Sequence, residues 1–169
     1  MAHRAEPTIQ IHAVAPEEWE VVRGQRLRAL LDAPEAFTSD HLRESCYDEA
    51  EWRGFATACQ WFVATDDGEV VAMAGGFPAG GRDQVREVIG MWVAPDHRRK
   101  GTARALLDHI AEWARAQGAA RLRLGVDARN AGARATYLRC GLQPTGETEP
   151  VVGDPTRTIE VMDRDLASG

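Results

Sequence analysis
Three arginines, a lysine, a glycine and a helix start fall together in Val88–Leu107, VIGMWVAPDHRRKGTARALL, and that combination can hold an anion. The apolar run ends at Ala94-Pro95. A basic turn follows, Arg98-Arg99-Lys100-Gly101-Thr102-Ala103, and an amphipathic segment begins inside it. Amides in the first helical turn have no partner within the helix and lie at the positive end of its dipole, so such a turn suits a phosphate or pyrophosphate. The order Lys100-Gly101-Thr102 is not a P-loop, which needs G-x-x-x-x-G-K-[ST], and no G-x-G-x-x-G occurs in the chain. The pattern present is R-x-x-G-x-A at Arg98, Gly101 and Ala103. In isolation, a plain strand–loop–helix connection with solvated basic residues would look the same.

A second stretch narrows the choice. Leu122–Leu142 reads LRLGVDARNAGARATYLRCGL, an apolar strand followed by Asn130, Ala133 and Tyr137 in the spacing N-x-x-A-x-x-x-Y, then Gly141-Leu142. In this order the two motifs resemble the GNAT N-acetyltransferase superfamily, whose acyl-CoA pyrophosphate signature is [QR]-x-x-G-x-[GA]. The resemblance runs from about Ile9 to Leu166, with the specific motifs inside Glu87–Leu142. The segments RLRAL-x-DAPEAF and GETEP resemble the simple bacterial branch of that superfamily.

The resemblance implies a fold and a reaction. The fold is α/β (α+β): a twisted mixed sheet of about seven strands with about four helices, splayed between the fourth and fifth strands, one N-acetyltransferase domain over 1–169. The reaction is acetyl transfer from the cosubstrate acetyl-CoA to a primary amine by direct attack in a ternary complex, without a metal. Such a transfer needs a neutral amine, a donor for the carbonyl oxygen, and a proton for the departing thiolate. No G-x-S-x-G nucleophile motif is present. Tyr137 is the implied general acid; a packed core tyrosine is the other reading. Glu87 is the candidate base, direct or through water, or else a glutamate paired with Arg86 or Arg121. Met91, Trp92 and Val93 would offer backbone to the pantetheine arm. Arg98, Arg99, Lys100, Gly101, Thr102, Ala103 and Arg104 would surround the pyrophosphate. Asn130 would bond the pantetheine amides, cap the following helix, or both, and Ala133 and Tyr137 complete the cofactor motif.

The resemblance implies an acceptor site between the early helices with their loop, Leu31–Glu44, and the late hairpin, Thr145–Thr156, both loop-like in sequence. Phe37, Asp40, Glu44, Glu147, Glu149 and Asp154 are available there for a small cationic amine. A protein N-terminus or lysine is the alternative acceptor, and a noncatalytic acyl-CoA-binding module the alternative from another class. His109 and Glu112 share a metal-type spacing without a second pair, so a solvated helix face is expected. His97 is expected to be exposed, and Cys140 small and buried.

Positioning these residues requires one domain. The chain has 169 residues, 44% of them hydrophobic, and a net charge of −6 that disfavours a nucleic-acid partner. No apolar run reaches the roughly 18–20 residues of a membrane span. The polar opening Met1–Pro7 reads as no signal peptide, and three cysteines without metal spacing read as reduced thiols, so a cytoplasmic protein is expected, compatible with a homodimer. Alternation places strands at Thr8–Val14, Gln60–Thr65, Val70–Phe77, Val85–Val93, Leu122–Val126, Leu142–Thr148 and Thr156–Asp165. Helices are predicted from Pro16 to Ala33, from Ser39 or Asp40 to about Cys59, over Thr102–Gln117 with Gly118 as its stop, and from Asn130 towards Gly141.

Overall fold
In the computed structural model, which describes residues 9–167, seven strands form one sheet in the order β1-β2-β3-β4-β5-β7-β6. Met1–Thr8, Ser168 and Gly169 lie outside the described residues, and with them the polar N-terminal stretch and the expected first strand residue. The strands are β1 (Gln10–Ala13), β2 (Gln60–Asp66), β3 (Glu69–Ala79), β4 (Arg82–Val93), β5 (Arg121–Asp127), β6 (Gln143–Val151) and β7 (Asp154–Asp165). All neighbours run antiparallel except β4 and β5. The helices are α1 (Trp19–Asp32), α2 (His41–Ser45), α3 (Glu49–Thr57), α4 (Thr102–Ala116) and α5 (Ala131–Arg139). This is the mixed α/β sheet that the resemblance implied.

There are five helices rather than four, because the predicted segment from Ser39 to Cys59 is broken. Asp48 starts a new helix: its carboxylate accepts from the Glu51 amide at 2.9 Å, and the Glu51 carboxylate accepts from the Asp48 amide at 2.8 Å. This capping box satisfies two orphan amides at once. The late hairpin is as expected, with longer strands than predicted: β6 runs on to Val151 and β7 starts at Asp154, around Val152-Gly153.

Each face of the sheet carries its own helices. Phe62 on β2 meets His109 and Trp113 of α4 edge-on, at ring distances of 5.5 and 5.6 Å. Leu106, Leu107, Ile110, Ala111 and Ala114 of α4 are buried in the core cluster with Leu122 and Leu124 of β5. Each buried leucine or isoleucine contributes roughly 1.5–3 kcal/mol. The helix ends at Gly118, where amides of Gly118 and Ala119 donate to the Arg115 and Ala114 carbonyls. That is the Schellman pattern, available because Gly118 holds a φ of +78°.

On the other face, Trp61 of β2 stacks on Phe55 of α3 with ring centroids 5.3 Å apart. Beneath α1 and α2 lies a buried ion pair. Arg26 donates two hydrogen bonds of 2.9 Å to the Glu44 carboxylate, and its guanidinium lies 4.7 Å from the Phe37 ring centroid. Both side chains are at least nine-tenths buried. Glu44→Gln would leave Arg26 buried without a counter-charge, a loss of about 3–5 kcal/mol. A chemical-denaturation midpoint close to the wild-type value would refute that expectation.

Candidate active site
β4 and β5 stay together for only four residue pairs, Val85–Val88 against Arg121–Leu124. Beyond Val88 and Leu124 each strand continues without the other, which opens the sheet into a cleft. Two features enforce the parting. Gly90 interrupts the β3–β4 register and adopts a φ of +61°, which a side chain rarely tolerates. On β5, Gly125 leaves room for Ile159 of β7, whose Cγ2 lies 2.5 Å from where a Cβ would sit. The unpaired part of β4 contains Met91, Trp92 and Val93, so their outer backbone edge faces the cleft.

The basic turn arrives at the start of α4 in an unusual conformation. Arg99 has a φ of +59° and Gly101 a φ of +85°. Left-handed residues in such a turn bring successive amides to one side, forming a concave anion site. Residues 98–101 form a hydrogen-bonded turn, but among the described residues no backbone amide from Arg99 to Arg104 makes a well-formed hydrogen bond to a protein acceptor. Thr102 braces the turn from beneath, its buried hydroxyl donating to the His97 carbonyl at 3.0 Å. Ala103 follows with little bulk.

The arginine side chains at the two ends of this turn are engaged elsewhere. Arg98 donates to the Val93 carbonyl at 2.9 Å and pairs with Asp32 at the end of α1. Trp92, buried under α1, donates to the same Asp32 at 2.8 Å. Arg98 and Trp92 therefore tie the end of β4 to α1. Arg104 donates to the Arg139 carbonyl, at the last turn of α5. Arg99 and Lys100 are exposed, with no protein partner among the described residues.

Helix α5 starts where β5 ends. Asn130 is its N-cap, its side-chain oxygen accepting from the Ala133 amide at 3.1 Å. The capping reading of Asn130 is thus realised, and its amide nitrogen is left available. One face of α5 holds Arg134, which forks onto Glu160 of β7 at 2.7 and 3.1 Å. Arg164 of β7 bridges Asp108 of α4 and the Cys140 carbonyl after α5. These contacts set α5 beside α4, so the amide-lined turn and Tyr137 belong to neighbouring helix ends.

The Tyr137 ring is buried, with the residue 8% exposed, while its hydroxyl, which bonds no protein group among the described residues, keeps contact with solvent rather than being a sealed, unpartnered donor. Burial, with a smaller contribution from Cys140, pushes the phenol up to about 12. A packed tyrosine ordinarily finds an acceptor for its hydroxyl; this one keeps a donor in reserve. Cys140 itself is buried, and burial raises its thiol, which argues against a thiolate nucleophile.

Glu87 lies on β4 opposite Phe77, in the last paired stretch before the cleft. Neighbouring Val88 pairs with Gly76, whose missing Cβ would meet Trp113 of α4. Glu87 therefore points to the other face, where α1 and α2 lie. Its partner is neither Arg86 nor Arg121 but Arg123, 3.9 Å away. Arg86 instead bonds the Asp83, Val85 and Gln117 carbonyls.

Most carboxylates nominated for an acceptor pocket already have partners. Asp40 caps α2 by accepting from the Arg43 amide. Glu44 holds Arg26. Glu147 accepts from Arg123 at 2.7 Å, with Glu149 at 3.6 Å from the same guanidinium. Asp154 accepts from Thr156 at 2.6 Å, which lowers its proton affinity. His97 contacts Asp66 at 2.9 Å rather than standing free. Among the described residues no group of three or more His, Cys, Asp or Glu could hold a metal ion.

Residues that the motifs did not reveal roof this face. Arg157 of β7 donates to Asp127 at 2.7 Å and to the Glu35 carbonyl at 3.0 Å, strapping the turn after α1 over the end of β5. The Arg129 amide, then Arg157, hold the Asp127 carboxyl down from its ordinary 3.8 to about 2. A depressed carboxyl contributes stability above its ordinary value and loses it as pH falls through the folded value. Asp127→Asn should therefore be less stable at neutral pH and show a shallower acid loss between about pH 4 and 2. Identical acid-melting curves for variant and wild type would contradict this role.

Residues 27–142 match the Acetyltransferase (GNAT) family. The chain belongs to that family. The matched span contains the amide-lined turn, the parting of β4 and β5, Asn130 and Tyr137. N-acetyltransferase 8 of Homo sapiens is 31% identical over 94 residues, 54% of this chain and 41% of that protein. The chain thus covers about two fifths of that relative's length. Nourseothricin acetyltransferase superposes with a TM-score of 0.59 at 28% identity, over 64% of this chain and 66% of its own. The Salmonella typhimurium protein yncA, solved with its cofactor acetyl-CoA, superposes with a TM-score of 0.74 at 20% identity, over 94% of each chain. This GNAT chain therefore shares its fold with a protein that holds acetyl-CoA. Among its described residues no helix is long and apolar enough to cross a membrane.

Proposed function
We propose that this GNAT protein is an acetyl-CoA-dependent N-acetyltransferase acting by direct attack of a primary amine in a ternary complex. The observation that carries the reading is the run of unpartnered amides from Arg99 to Arg104 at the mouth of the β4–β5 cleft. Unpaired donors at a helix start favour a diphosphate, and Arg99 and Lys100 add charge without being fixed elsewhere. The pantetheine arm would follow the open edge of Met91, Trp92 and Val93, with Asn130 opposite. That path brings the thioester towards Tyr137, whose free hydroxyl supplies the leaving thiolate with a proton. Glu87, on the α1–α2 face, would take the amine proton directly or through water.

The acceptor is proposed to be a small amine entering from the face carrying Glu87, Glu147 and Glu149. Arg123 is in ion-pair contact with all three carboxylates and Arg82 acts on Glu147 from further away, so three acids facing two arginines keep an excess of negative charge that favours a cation. Nourseothricin acetyltransferase, named for a small-molecule acceptor, supports that class. Thiol release from acetyl-CoA, followed against a panel of small amines and lysine peptides at equal concentration, tests the reading. Release with small amines supports it. A preference for peptides would reassign the acceptor, and no release with any amine, despite acetyl-CoA binding, would make the protein a noncatalytic binder.

A further inference from the structure
We propose that Arg123 is a positioning residue that couples the acceptor wall on β6 to the base Glu87 on β4; this rests on the acetyltransferase reading above. Arg123 stands on β5 directly beside Glu87, one pair before the two strands part. Its side chain is only 11% exposed, and its Nη2 lies 2.7 Å from Glu147 and 3.6 Å from Glu149. Its Nε lies 3.9 Å from Glu87. One guanidinium therefore reaches across β5 and β7 to β6 and back to β4. It is the only cation within ion-pair distance of these three glutamates among the described residues.

The surroundings fix Arg123 in this pose. Two residues on, Gly125 leaves space that Ile159 fills, closing that side of the cleft floor. Burial disfavours the charge of Arg123, but the hydrogen bond and charge of Glu147, then Glu87 and Glu149, outweigh it. A planar fork with five donors can bridge separate carboxylates, whereas an ammonium acts as a single point charge. Without Arg123, three like charges would crowd one floor. The β6 edge would then move from the cleft, and Glu87 would lose its nearest counter-charge, 3.9 Å away. The amine side of the reaction would suffer, while the amide-lined turn at α4, on the opposite face, would not.

Steady-state kinetics of Arg123→Gln, Arg123→Lys, Glu147→Gln and the double variant Arg123→Gln/Glu147→Gln test this, with each substrate varied in turn. For Arg123→Gln, kcat/KM for the amine should fall by at least about tenfold, while KM for acetyl-CoA and its thermal-shift response stay at wild-type values. Arg123→Lys should recover part of kcat, because charge remains and the fork is lost. The double variant should be no worse than Arg123→Gln, since both substitutions break one connection. Unchanged amine kinetics in Arg123→Gln, or a parallel rise in KM for acetyl-CoA, would overturn the proposal. Should Arg123→Gln fail to fold, the half-exposed Glu147 carries the test: a several-fold rise in amine KM for Glu147→Gln supports the coupling, and no rise overturns it. A wild-type protein that releases no thiol with any amine would overturn the acetyltransferase reading and this inference together. An active wild type with an unaltered Arg123→Gln would overturn the inference alone.

Discussion

Tyr137→Phe should lower turnover by about 10²–10⁴-fold, the usual worth of general acid help, with acetyl-CoA affinity nearly intact. The ring already packs in the core, so removing one oxygen leaves the fold in place. The hydroxyl bonds no protein group among the described residues and reaches solvent, so no internal hydrogen bond is lost. What disappears is a donor needed only as charge builds on sulfur, and such a loss appears in kcat more than in ground-state binding. Because burial lifts the phenol to about 12, it stays protonated across the working range. An alkaline decline near about pH 10, where an ordinary tyrosine ionises, should therefore be the same in wild type and Tyr137→Phe. Stopped-flow thiol release with a good amine measures the effect; full turnover in the variant would hand the proton to solvent or another donor.

Gly101→Asp should weaken acetyl-CoA binding by about 100-fold, a like-charge penalty of about 2.7 kcal/mol. A Cβ at Gly101 would meet nothing within 4 Å, so the change is tolerated sterically. Its φ of +85° adds strain of about 1–2 kcal/mol for a residue with a side chain. The larger effect is a carboxylate set among amides that await an anion. Gly101→Ala separates the two causes, since it carries the strain without the charge and should lose less than about tenfold. Calorimetric titration of both variants, alongside their melting temperatures, reads the difference. A folded Gly101→Asp with wild-type affinity would remove the pyrophosphate from this turn.

The parts of the site that were legible in the sequence are those made by backbone. A glycine between basic residues at a helix start, or an asparagine followed by alanine at the third position, announces a local conformation without reference to distant residues. Asn130 caps α5, one of the roles its position offered, and Gly101 stands at the start of α4, where its left-handed backbone adds what the sequence reading did not specify. The strands were equally visible, because alternation reports which face is buried. The break between α2 and α3 was readable too, as Asp48 and Glu51 stand in capping-box spacing, but the continuous helical pattern masked it.

Side-chain partnerships across the sheet were not legible. Arg26 with Glu44, Arg157 with Asp127, and Arg123 with Glu147 are 18, 30 and 24 residues apart, and only the β-strand register and helix packing bring them together. For the same reason the acids expected to line an open acceptor pocket turned out to be mostly paired. Arg98 shows the limit within a motif: its position was announced, but its side chain turns to Val93 and Asp32.

The most direct measurement is a backbone amide NMR titration with CoA, resolved residue by residue. Pyrophosphate binding at the start of α4 predicts large, saturable shifts of the amides from Arg99 to Arg104, with smaller ones at Met91–Val93 and Asn130. The same titration of Gly101→Asp should leave those amides nearly still at equal CoA concentration. Binding that shifts other residues while Arg99–Arg104 stay in place would contradict a CoA site at this turn.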